Sequence, residues 1–117
     1  MKEYGPLGTE QEHLSLGYDY LAKEKWSEAR EEFEKAIQMN PENIWVHIEL
    51  GKVYRNERRF DTAEKKFREV LTMSLNNEQA ERLHMSLGEI YLLQGRYRQA
   101  IEEYKEVLKI NPDNKRL

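Results

Sequence analysis

The chain has no cysteine, only three prolines, and no long uninterrupted apolar run. Without cysteine there is no disulfide framework and no thiolate chemistry, which fits a reducing compartment. A membrane-crossing helix needs roughly 18 largely apolar residues, and no segment approaches that. The opening Met1-Lys2-Glu3-Tyr4-Gly5-Pro6-Leu7-Gly8 lacks the apolar stretch of a signal peptide. A cytoplasmic location is therefore expected. Charge of one sign is also lacking: 19 basic against 22 acidic residues leave a net charge of −3. Such a balance argues against nucleic acid or an anionic membrane as a partner.

What is present is charge with a period. The 117 residues make one domain, 35% of them charged, and mean hydropathy is −0.95. Those values suit a thin helical stack in which every element keeps a wet face. The apolar residues are patterned rather than scarce, which separates the chain from disordered sequences. One phrase occurs three times, as His13-Leu14-Ser15-Leu16-Gly17, His47-Ile48-Glu49-Leu50-Gly51 and His84-Met85-Ser86-Leu87-Gly88. Each glycine is followed by Tyr20, Tyr54 or Tyr91, then by Ala29, Ala63 or Ala100, then by Phe33, Phe67 or Tyr104. The spacing is 34 residues between the first two glycines and 37 between the next two. A fixed period in this range is the mark of a stacked repeat array.

Leu-Gly-x-x-Tyr, then Ala-x-x-x-Phe, then Pro at this period resembles the tetratricopeptide repeat, over residues 10 to 114. The resemblance implies an all-α, right-handed α-solenoid of three helix-turn-helix hairpins. The repeats are expected at 10–43, at 44–80 with a three-residue insertion, and at 81–114, between short tails at 1–8 and 115–117. It also implies a non-catalytic scaffold or adaptor that holds a partner peptide in a concave groove, with no cofactor.

The local signals agree. Thr9 with Glu12 forms a capping box for a first helix that runs to about Lys23. Ser27 is expected to cap the second helix, and Asp61 with Glu64 the fourth. The third helix should cover about Asn43 to Asn56, the fifth about Glu78 to Gln94, and the sixth Tyr97 to Ile110. Asn40-Pro41 and Asn111-Pro112 end helices, since proline disfavours helical backbone in the residue before it. The insertion falls between Leu71 and Ala80, where either the helix is extended or the loop is longer. The extended helix is favoured, with Asn76 and Gln79 opening the next one. Mid-helix glycine costs up to about 1 kcal/mol relative to alanine. Gly17, Gly51 and Gly88 should therefore mark close crossings, with Ala29, Ala63 and Ala100 opposite. Trp26, Phe60 and Tyr97 share one place in the repeat and read as core.

The chemistry is sparse. His13, His47 and His84 hold equivalent positions, which invites a metal site. Packed helices stand 8–10 Å or more apart, however, and zinc needs nitrogens at about 2.0–2.1 Å. No carboxylate or cysteine is expected to recur beside them, so no metal is expected, and each histidine should make one structural hydrogen bond. Ser15, Ser27, Ser74 and Ser86 have no glycine-framed nucleophile elbow. The repeated glycines stand singly inside helices, so no phosphate loop exists. The acidic runs alternate with Lys and Arg as on a solvated face. No enzyme is expected.

In this family the first helix of each hairpin lines the groove. That places Leu14, Tyr18, Trp45, Ile48, Lys52, Arg55, Arg82, Met85 and Glu89 there, with Trp45 the candidate anchor and the basic residues drawing acidic groups. Family members that clasp a chaperone's terminal carboxylate do so at positions matching Leu14, Tyr18, Glu49, Arg82 and Ser86. Only Arg82 suits a carboxylate, so that role is disfavoured. Such arrays commonly end in a polar helix over the last apolar face, and only Asp113 to Leu117 follow the last proline. Either the chain is part of something longer or that face pairs with a second copy as a homodimer or array, which is the alternative function.

Overall fold

The computed structural model describes residues 8–114, so all but Gly8 of the tail expected at 1–8, and the tail expected at 115–117, lie outside the described residues. Six helices follow in order: α1 (Glu10–Ala22), α2 (Trp26–Met39), α3 (Ile44–Asn56), α4 (Phe60–Val70), α5 (Asn77–Leu93) and α6 (Tyr97–Ile110). No strand occurs among the described residues. Each helix packs on the next, and α3 also touches α5. The radius of gyration is 15.5 Å, in a body of 55 × 27 × 24 Å. A globule of this length would have a radius near 13 Å, so the molecule is an elongated α-solenoid of stacked hairpins.

Two of the expected capping boxes form, at Thr9–Glu12 and Asn76–Gln79. Ser27 and Asp61 do not cap. Their helices start two residues earlier than those caps would give, at Trp26 and Phe60, behind Lys25 and Arg59, which make no side-chain cap. The reason lies in the turn within each hairpin. Glu24, Arg58 and Gly95 take left-handed backbone, with φ of 57°, 62° and 73°. The next amide, of Lys25, Arg59 or Arg96, then donates back to the carbonyl of Tyr20, Tyr54 or Tyr91 at 2.8–2.9 Å. This closure ends one helix and fixes the start of the next without a side chain.

The insertion does not lengthen α4. The helix stops at Val70, and residues 71–76 form a loop. Leu71, Met73 and Leu75 all pack against the core beside Ile44. The end of α4 tightens instead, with the Thr72 and Met73 amides donating to the carbonyls of Glu69 and Val70, three residues back. The equivalent turns in the flanking repeats are polar and fastened by a glutamate. Asn40 and Asn43 donate to Glu10 at 3.4 and 2.9 Å, and Asn111 donates to Glu81 at 3.1 Å, joined there by Asn114. The second repeat has Ile44 where the others have glutamate, so its longer loop is held by burial instead.

Two core clusters run along the stack. One gathers Phe33, Val46, Leu50 and Val53, and the other gathers Phe67, Leu83, Leu87 and Ile90. The expected close crossings exist, but the nearest neighbour is the ring rather than the alanine. A Cβ on Gly17 would lie 2.6 Å from Phe33, one on Gly88 2.6 Å from Tyr104, and Gly51 meets Phe67 in the same way. Phe33 is fully buried and has nowhere to move. Gly17→Ala should therefore destabilise by about 1–3 kcal/mol, against a helix-propensity gain of no more than about 1 kcal/mol. Thermal denaturation followed by circular dichroism measures the balance. Tyr97 departs from its expected core role: Trp26 and Phe60 pack into the clusters, whereas Tyr97 is 64% exposed.

Candidate functional site

A cleft of about 240 Å³ opens between α3 and α5, lined by Trp45, Ile48, Glu49, Lys52, Arg55, Arg82, Met85, Ser86 and Glu89. All nine come from the first helices of two successive hairpins. Trp45 and Arg82 occupy the same slot in their repeats, so stacking brings them side by side. The Arg82 guanidinium carbon sits 5.8 Å from the centroid of the Trp45 ring, in cation–π contact.

The other charges of the cleft are matched in pairs. Glu49 lies 3.5 Å from Lys52 and accepts from the Tyr18 hydroxyl at 3.3 Å. Burial, then the nearby Glu49 carboxylate, pushes the Tyr18 phenol up to about 12. Arg55 donates to Glu89 at 2.8 Å. Among the described residues no carboxylate stands within salt-bridge distance of Arg82. The cleft thus carries one uncommitted cation, held over an aromatic ring that is 38% exposed.

Of the nine residues expected in the groove, seven line this cleft. Ile48 does so only by its edge, since it is buried in the core. Leu14 is not brought to the cleft and packs against the first core cluster. Tyr18 stands outside it, edge-on to Phe33 at 5.3 Å, and joins only through Glu49. Ser86 and Glu49 complete the lining.

The histidines have a different arrangement from the one their sequence neighbours suggest. A carboxylate does accompany two of them, from the partner helix. His13 Nδ1 meets Glu32 at 2.7 Å, and His84 Nδ1 meets Glu103 at 2.7 Å. Glu103 also accepts from Arg68 at 2.6 Å. Burial opposes its ionisation, yet the His84 and Arg68 hydrogen bonds outweigh that and hold it below the usual range. The matching residue in the second repeat is Lys66. There His47 turns its Nε2 to the Pro41 carbonyl at 2.7 Å, leaving a buried Nδ1 with no partner. Among the described residues no cluster of three metal-ligating side chains forms.

Burial and the Lys66 charge lower the His47 pKa. The unfolded chain, with histidine near 6.5, then binds more protons than the folded one just below that pH. Stability should fall as pH drops below about 6.5 toward the lowered folded value. Lys66→Glu restores the arrangement of the flanking repeats. It should raise the His47 pKa and remove that acid sensitivity, with a gain of about 1 kcal/mol near neutrality. Melting temperatures from pH 5 to 7.5 for wild type and Lys66→Glu give the comparison.

Three stacked hairpins, with a cleft between the first helices of the second and third, define a helical-repeat fold. Three family profiles match in series: "TPR repeat" over residues 17–56 and "Tetratricopeptide repeat" over 46–81 and again over 82–114. The chain belongs to the tetratricopeptide-repeat family, whose members in general are non-catalytic protein-interaction scaffolds. It is 34% identical over 67 residues to "Uncharacterized protein ycf37" of Pyropia yezoensis, a match covering 57% of this chain and 38% of that protein. The first TPR domain of human RPAP3 superposes with a TM-score of 0.77 at 18% identity, over 92% of this chain and 82% of that one. The Arabidopsis OM64 TPR domain gives 0.75 at 17%, over 91% and 85%. Among the described residues no helix is long and apolar enough to cross a membrane.

Proposed function

We propose that the cleft between α3 and α5 binds a segment of a partner protein through an apolar side chain set beside an acidic one. The apolar group packs against Trp45 and Met85, and the carboxylate meets Arg82. The observation that carries this reading is the uncommitted guanidinium of Arg82 over the exposed Trp45 ring. Elsewhere in the cleft Glu49 is taken by Lys52 and Tyr18, and Arg55 by Glu89. An incoming acid therefore finds one cation that gains a partner without losing one. Aromatic and arginine side chains at the centre of an interface are those that most often carry its affinity. The test is a set of blocked peptides pairing Leu or Ile with neighbouring Asp or Glu, compared with Asn and Gln counterparts by fluorescence anisotropy. Acidic members should bind wild type, and Trp45→Ala or Arg82→Ala should weaken them at least tenfold. Equal binding of acidic and neutral peptides, or indifference to both substitutions, would overturn the reading.

A further inference from the structure

Lys66 stands in the second hairpin where the flanking hairpins carry Glu32 and Glu103, and those carboxylates meet their histidines at 2.7 Å. The shared register puts Lys66, one atom longer than glutamate, within reach of the His47 ring, and its charge acts on that imidazole. His47 is buried, with 5% of its surface exposed. Its Nε2 lies 2.7 Å from the Pro41 carbonyl. A carbonyl only accepts, so Nε2 holds the ring proton. Nδ1 is then a bare lone pair, enclosed and without a partner.

Lys66 is half-buried, so its amine still reaches solvent. Burial pushes its ammonium below the usual lysine range, although the Glu69 and Glu34 carboxylates pull the other way. The neutral amine is therefore populated more than on an open surface. A partly desolvated lysine with a basic nitrogen in reach is the arrangement that makes an amine nucleophilic. The neighbouring Lys65 is exposed and points away from this ring's register.

We propose that Lys66 is an acylation site, its Nζ taking an acyl group from an acyl phosphate or thioester while His47 Nδ1 accepts the amine proton. The amine lone pair forms the new bond to the acyl carbon. The bond from that carbon to the phosphate oxygen or thiolate sulfur breaks, and phosphate or thiolate leaves with its electrons. The displaced amine proton passes to Nδ1 and from there to solvent. The product exchanges a half-buried cation for a neutral amide, whose remaining N–H can donate to Nδ1.

Acetyl phosphate is the probe, added in limiting amount to the full chain at neutral pH, with each lysine followed over time by fragmentation mass spectrometry. Lys66 should be acetylated at least threefold faster than Lys65, and in urea the two should react alike. His47→Gln keeps a donor for the Pro41 carbonyl but offers no basic nitrogen. It should slow Lys66 at least threefold and leave Lys65 unchanged. The proposal is overturned if Lys65 reacts as fast as Lys66 in the folded wild type, or if the excess at Lys66 persists in urea. It is equally overturned if folded His47→Gln acetylates Lys66 at the wild-type rate.

Discussion

Phe67→Ala is expected to cost about 3–5 kcal/mol, the range for emptying a fully buried phenylalanine site. Phe67 has no exposed surface, and its ring fills the space left open at Gly51. Removing it leaves a void that Gly51 cannot fill, between the core residues of the second and third hairpins. A domain of this size has a total stability of about 5–15 kcal/mol, so much of it would go. The loss should also spread. The second hairpin is the one that touches both others, and stacked repeats draw stability from their neighbours. Urea denaturation followed by circular dichroism should show the lowered midpoint. The contrast is Tyr97→Ala, which removes an exposed ring from the slot Phe60 fills and should change stability by no more than about 0.5 kcal/mol. A loss below about 1 kcal/mol for Phe67→Ala would contradict the packing described here.

The second large effect concerns binding. Truncating a central interface residue costs 2 kcal/mol or more where it is a hot spot, which is about 30-fold in affinity. Trp45→Ala should reach that value for an acidic–aliphatic peptide, because it removes the apolar wall and the ring that positions Arg82. Arg82→Ala should lose a similar amount and flatten the dependence of affinity on salt. The fold should survive both changes, since Trp45 and Arg82 are exposed and lie outside the core clusters.

Much of the architecture is readable from residues that recur. The close crossings at Gly17, Gly51 and Gly88, the capping boxes at Thr9 and Asn76, and the bounds of α6 all follow from local chemistry, although the ring and not the alanine faces each glycine. So does the nearness of Trp45 and Arg82, which share one register slot. The misreadings arise where the repeats differ or where backbone decides. Gly95 announces a left-handed turn residue, but Glu24 and Arg58 take the same conformation with no sequence signal. Residues 71–75 are compatible with helix by propensity, but the helix closes in i→i−3 turns at Thr72 and Met73 and the chain then leaves it, with Leu71, Met73 and Leu75 packed on the core. The exchange of Glu32 and Glu103 for Lys66 was visible in principle, since the three stand at one register position. Its meaning depends on the partner helix meeting the histidine. Likewise, that Arg55 is spent on Glu89 while Arg82 is not depends on geometry across the seam.

The central claim is that Arg82 selects an acidic group beside an apolar one in the cleft. A charge exchange tests it most directly. One peptide is made in two versions, with Asp or with Lys beside its leucine, and both are titrated into wild type and Arg82→Glu. Wild type should favour the Asp peptide, and Arg82→Glu should reverse the preference. An unchanged preference in Arg82→Glu would contradict it.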